Sequence, residues 1–249
     1  MKKKAFLTPV FLLVLLMGFN TSTITAQGRR IAFENLTHYD HKPYHFGFSL
    51  GVNRMGFALK PIESLNHLGG EREPFDTLFT VQPQSQNGFH IGIVSNLKLL
   101  PQLDLRFVPT LSFGDRTVIF EGSKDSRDVR RTQEIESTFI DFPLHFKYKS
   151  VRMLNTRLYV IGGLKYSLDL ASAEDRDEGE DEILVRIARN DFFYELGVGF
   201  DHYFYYFKFS TEIKASFGLR NLIRPEDTIY TDPIDKLNSK ILMVSFLFE

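Results

Sequence analysis

The stretch FIDFPLHFKY, residues 139–148, most constrains the fold, because apolar and polar residues alternate along it. A period of two residues places alternate side chains on opposite faces of a β-strand. At about 3.3 Å per residue, a strand of this length extends roughly 30 Å, enough to cross a bilayer when tilted. A strand of a water-soluble sandwich shows the same alternation, so the recurrence of the pattern must decide between the two.

The alternation recurs seven more times, so the sequence predicts eight strands. In chain order they cover residues 44–59, 89–99, 103–113 with an extension toward 120, 135–148, 157–170, 192–201, 207–219 and 242–248. In the first strand the alternation changes phase at Arg54, which predicts a bulge or the point where the strand leaves the membrane. Pro143 has no backbone N–H, which predicts a bulge or a missing ladder bond there.

The predicted connections alternate between long and short. The long ones are 60–87, 122–132, the acidic region around 174–182, and 220–235; the short ones follow residues 99, 148 and 201. Outer-membrane barrels have an even number of strands, short periplasmic turns, longer external loops and both termini in the periplasm. The sequence therefore predicts an all-β fold, an eight-stranded antiparallel transmembrane β-barrel with a short N-terminal periplasmic segment. Side chains fill a barrel of this size, which disfavours a wide pore.

The N-terminus predicts export. Three lysines, 2–4, precede an apolar run over 5–19, and Ala26 before Gln27 is a plausible cleavage point. We therefore divide the chain into a signal peptide (1–26), a periplasmic segment (27–43) and an outer-membrane barrel (44–249); an uncleaved anchor helix is the alternative. The chain has no cysteine, which excludes a lipoprotein, disulfides and thiol chemistry.

Charge excludes one class of partner and predicts how the lumen is filled. Removal of the three lysines of the signal changes the formal net charge from −1 to −4, so nothing indicates nucleic acid, whereas the apolar faces predict contact with outer-membrane lipid. Because the inward charges have both signs, we expect a salt-bridged plug, with an ion or proton pathway as the alternative. The inward-facing set is Lys98, Asp104, Arg106, Asp141, Lys147, Lys165, Asp169, Glu195, Asp201, Lys208, Glu212 and Lys214.

Catalytic and metal sites are weakly indicated. His90 is the only histidine placed for a hydrolase at the outer end of the barrel, and no serine and acid stand at a diagnostic spacing. His45 and His145 are interpreted as inward-facing hydrogen-bonding residues. Metal binding by His38 and His41 has little support, and the acidic loop 174–182 lacks the register of a calcium loop. We expect no enzyme activity, no catalytic residue, no metal and no cofactor.

Residues 34–53, ENLTHYDHKPYHFGFSLGVN, resemble the PorT family of the Bacteroidetes type IX secretion and gliding machinery. Further matches lie at 140–144, 212–219 and 246–249, so the resemblance extends over the mature chain, although these later matches are generic to small Bacteroidetes barrels. Thr37 stands where the family pattern has proline. The residues that carry the first match are Asn35, Leu36, Tyr39, Asp40, Lys42, 45–48, Gly51 and Asn53.

The resemblance implies a non-enzymatic outer-membrane component needed to export proteins with a type IX C-terminal signal. Its implied partners are other type IX secretion components. The periplasmic tail is the expected contact, through Asn35, Tyr39, Asp40 and His45; packing of the tail against the mouth of the barrel is the other interpretation. An unrelated structural or adhesive barrel, acting through external loops, is the alternative function.

Overall fold

A computed structural model describes residues 34–62, 77–125, 127–171, 187–223, 231 and 233–249. They belong to one compact unit, Glu34–Glu249. Its described elements are a 3₁₀ turn, Tyr39–His41, and the strands β1 Tyr44–Pro61, β2 Thr77–Leu100, β3 Leu103–Phe107, β4 Thr110–Lys124, β5 Arg127–Lys149, β6 Thr156–Asp169, β7 Asn190–Tyr203, β8 Lys208–Gly218 and β9 Ile234–Phe248. In this part of the chain, the structure contains no helix with the length and apolar character of a membrane span.

The strands close into an antiparallel barrel. Consecutive strands pair with one another except β3 and β4, and β9 returns to β1 with Phe48 opposite Phe248. β3 and β4 together fill one position in the wall, between β2 and β5. The barrel therefore has eight wall positions built from nine segments, which confirms the predicted fold class.

Two prolines explain why this one wall position is split. The break between β3 and β4 falls at Val108 and Pro109, opposite Phe142 and Pro143 of β5. Pro143 cannot donate to a ladder, and Pro109, whose carbonyl accepts from Ile93 N–H of β2, cannot donate a hydrogen bond back to β2. The register is the same on both sides of the break, so the predicted missing bond is confirmed and no bulge forms at Pro143.

The two ends of the barrel differ. At the end that we call the terminal mouth lie residues 34–43, Glu249 and three turns: Leu100 to Leu103, Lys149 to Thr156, and Tyr203 to Lys208. The opposite end, which we call the loop end, carries the connections that follow β1, β4, β6 and β8. The predicted alternation of short and long connections is wrong at β4–β5, where only residues 125–126 separate the two strands in place of the predicted loop 122–132.

Two predicted loops are strand instead. β2 begins at Thr77, inside the predicted connection 60–87, and β4 and β5 remain paired up to Lys124 opposite Arg127, inside the predicted loop 122–132. These extensions carry polar residues such as Gln82 and Gln84 on exposed positions, so they lack the apolar alternation that identified the other strands. The acidic region 174–182 lies outside the described residues.

The phase change at Arg54 is not a bulge. β1 pairs without interruption through Arg54 on both sides, and its register shifts only between Lys60 and Pro61. Met55 and Phe57 simply continue the inward-facing positions, where both are buried. The predicted bulge is wrong because the filling of the lumen changes from polar to apolar at this level. On the outer face of β1 the large apolar side chains end at Val52, and the charged residues Arg54 and Lys60 are exposed beyond it, in agreement with the other predicted cause, exit of the strand from the membrane.

The barrel wall has an apolar outside and a closed inside. Leu144 is 49 % exposed whereas its neighbour His145 is 1 % exposed, and the alternation continues along each strand. The exposed apolar belt includes Phe46, Phe48, Leu50, Val52, Phe89, Ile91, Ile93, Phe142, Phe146, Leu158, Val160, Leu164, Phe192, Leu196, Val198, Ile213 and Leu242. Such a belt suits lipid rather than water.

The loop half of the lumen is mostly apolar, with the buried Arg116–Asp169 ion pair at its boundary. Its largest cluster comprises Phe57, Val81, Val118, Phe120, Ile187, Ala188, Leu222, Ile234 and Leu237. A second cluster, Met55, Phe139, Phe193, Ile241 and Met243, continues it toward the middle of the barrel. These clusters close the lumen at the loop end. Their side chains come from the strands of the wall and from residues 187, 188 and 222.

Candidate functional site at the terminal mouth

Residues 34–43, hereafter the tail, lie across the terminal mouth and are held there by hydrogen bonds and ion pairs. The backbone N–H of Asn35 donates to Asn155 Oδ1 (2.8 Å), and its side-chain Nδ2 donates to the carbonyl of Tyr203 (2.9 Å). Arg152 donates in turn to the Asn35 carbonyl. One tail residue thus joins two neighbouring turns of the barrel.

Tyr39 enters the mouth and contacts the end of the chain. Its hydroxyl donates to Glu249 Oε2 (2.7 Å), and its ring stacks on His45 with centroids 3.9 Å apart. His45 Nε2 lies 2.8 Å from the Tyr39 carbonyl, so His45 is an inward hydrogen-bonding residue as predicted. Burial, reinforced by the Glu249 carboxylate, raises the pKa of Tyr39, so the phenol keeps its proton and donates it.

Asp40 binds two arginines of the wall and turn. Arg157 Nη1 and Nη2 lie 3.1 and 2.9 Å from its two oxygens, a bidentate arrangement, while Arg152 Nη1 lies at 3.9 Å. Burial favours the neutral acid. The hydrogen bonds and charge of Arg157, with the charges of Lys149 and Arg152, outweigh that effect and hold the pKa of Asp40 below its ordinary value.

All four predicted contact residues, Asn35, Tyr39, Asp40 and His45, are therefore brought together at one mouth. Their side chains face the barrel. The solvent-facing residues of the tail are Glu34, Thr37, His38, His41, Lys42 and Pro43. Residues 27–33 of the predicted periplasmic segment lie outside the described residues.

Beneath the tail, Glu249 organises the first layer of the lumen. Its carboxylate accepts from Arg106 (3.2 Å) as well as from Tyr39, and forms an ion pair with Lys208. Arg106 also reaches Glu212 (3.1 Å), which accepts from the hydroxyl of Tyr159 (2.9 Å). The last residue of the chain thus connects the tail to the buried network.

The neighbouring pairs are equally enclosed. Lys147 Nζ lies 2.8 Å from both oxygens of Asp201 and 3.6 Å from the centroid of the Tyr159 ring. Gly199 leaves the space that this ring needs, because a Cβ there would lie 2.1 Å from Tyr159 Cζ. Lys149 donates to Asp104 at 2.6 Å.

A second cluster, deeper in the lumen, is centred on Glu195. His145 Nε2 lies 2.5 Å from its carboxylate, and the amino groups of Lys165 and Lys214 lie at 3.4 and 3.6 Å. Lys165 also reaches Asp141 at 3.4 Å. The charges alternate in sign, so each buried ion has at least one opposite partner.

The predicted salt-bridged plug is confirmed. All members of the predicted inward set are buried except Lys98, which is half-buried and donates to the Asp40 carbonyl (2.6 Å). A cavity of only about 20 Å³, next to His90 and Lys214, remains among these side chains. That volume holds roughly one water molecule.

Sequence reasoning missed several members of the network. Arg116 is buried, donates to Asp169 (2.9 Å) and lies against the rings of Phe57 and Phe139. It falls where only an uncertain extension of the third strand was predicted. Glu249, Arg152 and Arg157 were missed because their partners come from the tail and from distant strands, and only the register shows this.

The histidines among the described residues do not form an assembled catalytic or metal site. His90 Nε2 lies 2.9 Å from Ser245 Oγ, but the pair is buried and His90 Nδ1 has no hydrogen-bond partner in the described part of the chain. The rings of His38 and His41 lie 6.2 Å apart on the exposed side of the tail. Within the described ranges, no three histidine or acidic side chains are grouped to hold a metal ion.

Comparison with known proteins gives one family match. The sequence profile of the outer membrane protein beta-barrel domain matches residues 25–224. No curated protein matches the sequence.

Two solved structures show similarity to this chain. The outer membrane protein OprG of Pseudomonas aeruginosa has 10 % identity and a TM-score of 0.41, covering 81 % of this chain and 92 % of that one. The N-terminal β-barrel domain of OprF from the same organism has 15 % identity and a TM-score of 0.30, covering 80 % and 96 %.

Proposed function

The chain belongs to the outer membrane protein beta-barrel domain family, and from that premise we propose that it is a non-enzymatic component of the type IX protein secretion machinery. In this role it supports export of cargo with a C-terminal sorting signal, and through the same machinery gliding motility. The terminal mouth then faces the periplasm, as is usual for the termini of outer-membrane barrels. Its partners are other secretion components.

One observation carries the proposal: the first half of the segment 34–53 that resembles the PorT family, residues 34–43, is fitted across the terminal mouth. Closure of the barrel does not require it, because β1 begins only at Tyr44. Even so, Asn35, Tyr39 and Asp40 each make a specific contact with the barrel. Held in this shape, the tail presents a defined outer surface that includes His38, His41 and Lys42. We propose that another secretion component contacts it there.

The packing of the lumen supports a role other than transport or catalysis. Charged pairs fill its terminal half and apolar side chains its loop half, and the internal cavity of about 20 Å³ is too small for a solute. The only histidine considered for hydrolysis, His90, is 3 % exposed. The protein therefore acts through its surfaces.

A structural or adhesive role at the loop end is the second candidate. The paired strands β4 and β5 extend well past the apolar belt to Lys124 and Arg127, and such a projecting hairpin could bind an external partner. The two candidates differ in location, since one uses the terminal mouth and the other the loop end.

Two alleles separate the candidates. In the first, Asn35, Tyr39 and Asp40 are changed to alanine; in the second, residues 174–182 are replaced by a short Gly/Ser loop. Both proteins must first reach normal levels in the outer membrane and show the heat-dependent gel mobility of a folded barrel. Export of signal-bearing cargo should fail with the first allele and persist with the second. Failure with the loop allele alone, or with neither, would contradict the proposed function.

A further inference from the structure

We propose that Arg152, Arg157 and Tyr203 form a binding site for a carboxylate carried by a partner protein, and that Asp40 occupies this site within the same chain. The tail then acts as an internal substitute for the partner's acidic residue. The inference deepens the proposed function and rests on it only for the identity of the partner, a secretion component. The carboxylate site itself is inferred from the positions of Arg152, Arg157 and Tyr203.

The geometry is that of a carboxylate receptor. Arg157 offers two parallel N–H groups to the two oxygens of Asp40, at 3.1 and 2.9 Å. Arg152 approaches the same carboxylate at 3.9 Å while its guanidinium lies over the Tyr203 ring, 3.9 Å from the centroid. The Tyr203 hydroxyl lies 3.5 Å from Asp40 Oδ1. Planar, bidentate donors of this kind are suited to carboxylates.

The site has more binding capacity than Asp40 uses. The Arg157 side chain is 9 % exposed, yet its Nε has no hydrogen-bond partner in the described residues. Lys98 donates to the backbone carbonyl of Asp40 instead of to a carboxylate. Arg152, Arg157 and Lys98 thus surround a single acid of the tail, and a buried N–H remains available for another acceptor.

The occupant is replaceable without damage to the barrel. The tail precedes β1, so its departure leaves the pairing of β1 with β2 and β9 intact and breaks the backbone hydrogen bond from Lys98 N–H to the Pro43 carbonyl. None of its residues is fully buried, and Tyr39 and Asp40 of its 3₁₀ turn are half-buried. A partner that binds the arginines better than Asp40 does would displace the tail by mass action.

The rim of the site indicates what accompanies the carboxylate. The adjacent turn exposes Val151 (70 %), Met153 (76 %) and Leu154 (55 %), three apolar residues beyond the end of β5. Leu154 adopts φ 56°, a left-handed conformation that is costly for a branched side chain and is often retained at functional positions. We therefore expect an acidic residue flanked by apolar ones on the partner.

The test uses the full mature chain in detergent micelles and a peptide, Gly-Leu-Asp-Leu-Gly-amide, labelled at its N-terminus with a fluorophore that has no carboxylate, with its Asp→Asn counterpart as control. Asp40→Asn empties the site, and Asp40→Asn with Arg157→Gln removes it. Glu34→Gln is the matched control, because Glu34 is an exposed acid of the same tail. Fluorescence anisotropy measures binding, and acetate at equal concentration tests whether a small free carboxylate suffices.

Asp40→Asn should bind the aspartate peptide about tenfold more tightly than the wild type, because the internal competitor is gone. The double variant should lose this gain, Glu34→Gln should match the wild type, and neither the asparagine peptide nor acetate should compete. Equal affinities of wild type and Asp40→Asn, binding that survives Arg157→Gln, or equal competition by acetate would overturn the inference. These outcomes do not depend on export, so they are distinct from failure of the proposed function.

A second measurement avoids altering the site. The chain has no native cysteine, so a spin label on His41→Cys reports only on the tail. Excess aspartate peptide should increase the mobility of the label, whereas the asparagine peptide should not. A spectrum unchanged by the aspartate peptide would overturn displacement of the tail.

Discussion

The same strands fill the two halves of the lumen with different side chains, charged ones in the terminal half and mainly apolar ones in the loop half. In the terminal half, side chains such as Arg106, Lys147 and Glu195 form ion pairs with almost no exposure to solvent. In the loop half, residues such as Phe57, Val118 and Leu237 pack as an ordinary apolar core. The comparison shows that strand periodicity alone does not define what lies inside a barrel.

The side chains in the two halves of the lumen are stabilised in different ways. A charge in the terminal half depends on a partner from another strand, because an unpaired ion in a closed lumen has little water to solvate it. An apolar residue in the loop half depends only on shape and on neighbours that fill space. Removing one partner of an ion pair in the terminal half should therefore cause a large loss of stability. In the loop half, the loss of stability should increase with the side-chain volume removed.

The largest expected effect comes from breaking the ion network. Arg106→Met leaves Glu249 and Glu212 without their shared guanidinium, which should destabilise the barrel by about 3–5 kcal/mol. Denaturant unfolding of the refolded barrel measures the change. Lys60→Met is the control, since Lys60 and Asp235 form an equally close but exposed pair, and it should leave the unfolding midpoint unchanged. Comparable losses from both variants would remove the distinction between buried and exposed pairs.

A cavity in the apolar half should cost slightly less. Leu237 is fully buried in the largest cluster, so Leu237→Ala should destabilise the barrel by about 2–5 kcal/mol. Leu237→Met, which conserves volume better, should cost less than about 1.5 kcal/mol. If the alanine variant were as stable as the methionine variant, the loop half would not be a packed core.

The lipid-facing side offers a third contrast. Leu144→Arg places a charge in the exposed apolar belt and should cost about 2–4 kcal/mol in a bilayer, through loss of lipid contact. The penalty should be smaller in detergent micelles with a more hydrated surface, and Leu144→Met should be tolerated in both. An equal penalty in bilayer and micelle would show that Leu144 does not face lipid.

The smallest effect concerns the tail and pH. The docked pKa of Asp40 lies below its ordinary value of about 4, so its charge stabilises docking above that pH, and this contribution is lost as pH falls through the lowered pKa. A spin label on His41→Cys should therefore become more mobile in acid while the barrel remains folded. Asp40→Asn should abolish the acid-dependent step. A step of the same size in Asp40→Asn would assign it to another group.

Much of the wall follows from the sequence, because the alternation of residues 140–148 and of similar stretches reflects lipid outside and packed side chains inside. The inward charged set follows for the same reason. Of the two causes predicted for the phase change at Arg54, a bulge or exit from the membrane, the bulge is wrong, because Met55 and Phe57 continue the inward-facing positions into the apolar half of the lumen. Polar extensions such as residues 77–88 carry no alternation and were taken for a loop.

The candidate site was predictable only in outline. The resemblance to the PorT family singled out Asn35, Tyr39, Asp40 and His45, but nothing in the sequence pairs them with particular residues of the barrel. Those partners, among them Arg157 and Glu249, lie more than a hundred residues away and are set by strand register. The residues that bind the Asp40 carboxylate could therefore be identified only from the folded structure.

The proposed function requires that the terminal mouth face the periplasm. Single cysteines at Thr37 in the tail and at Asp128 near the β4–β5 hairpin test this orientation directly, since both positions are exposed and the chain has no other cysteine. With a membrane-impermeant maleimide, the cysteine at 128 should react in intact cells, and the cysteine at 37 only after the outer membrane is permeabilised. Reaction of the cysteine at 37 in intact cells, with protection of the one at 128, would contradict the account.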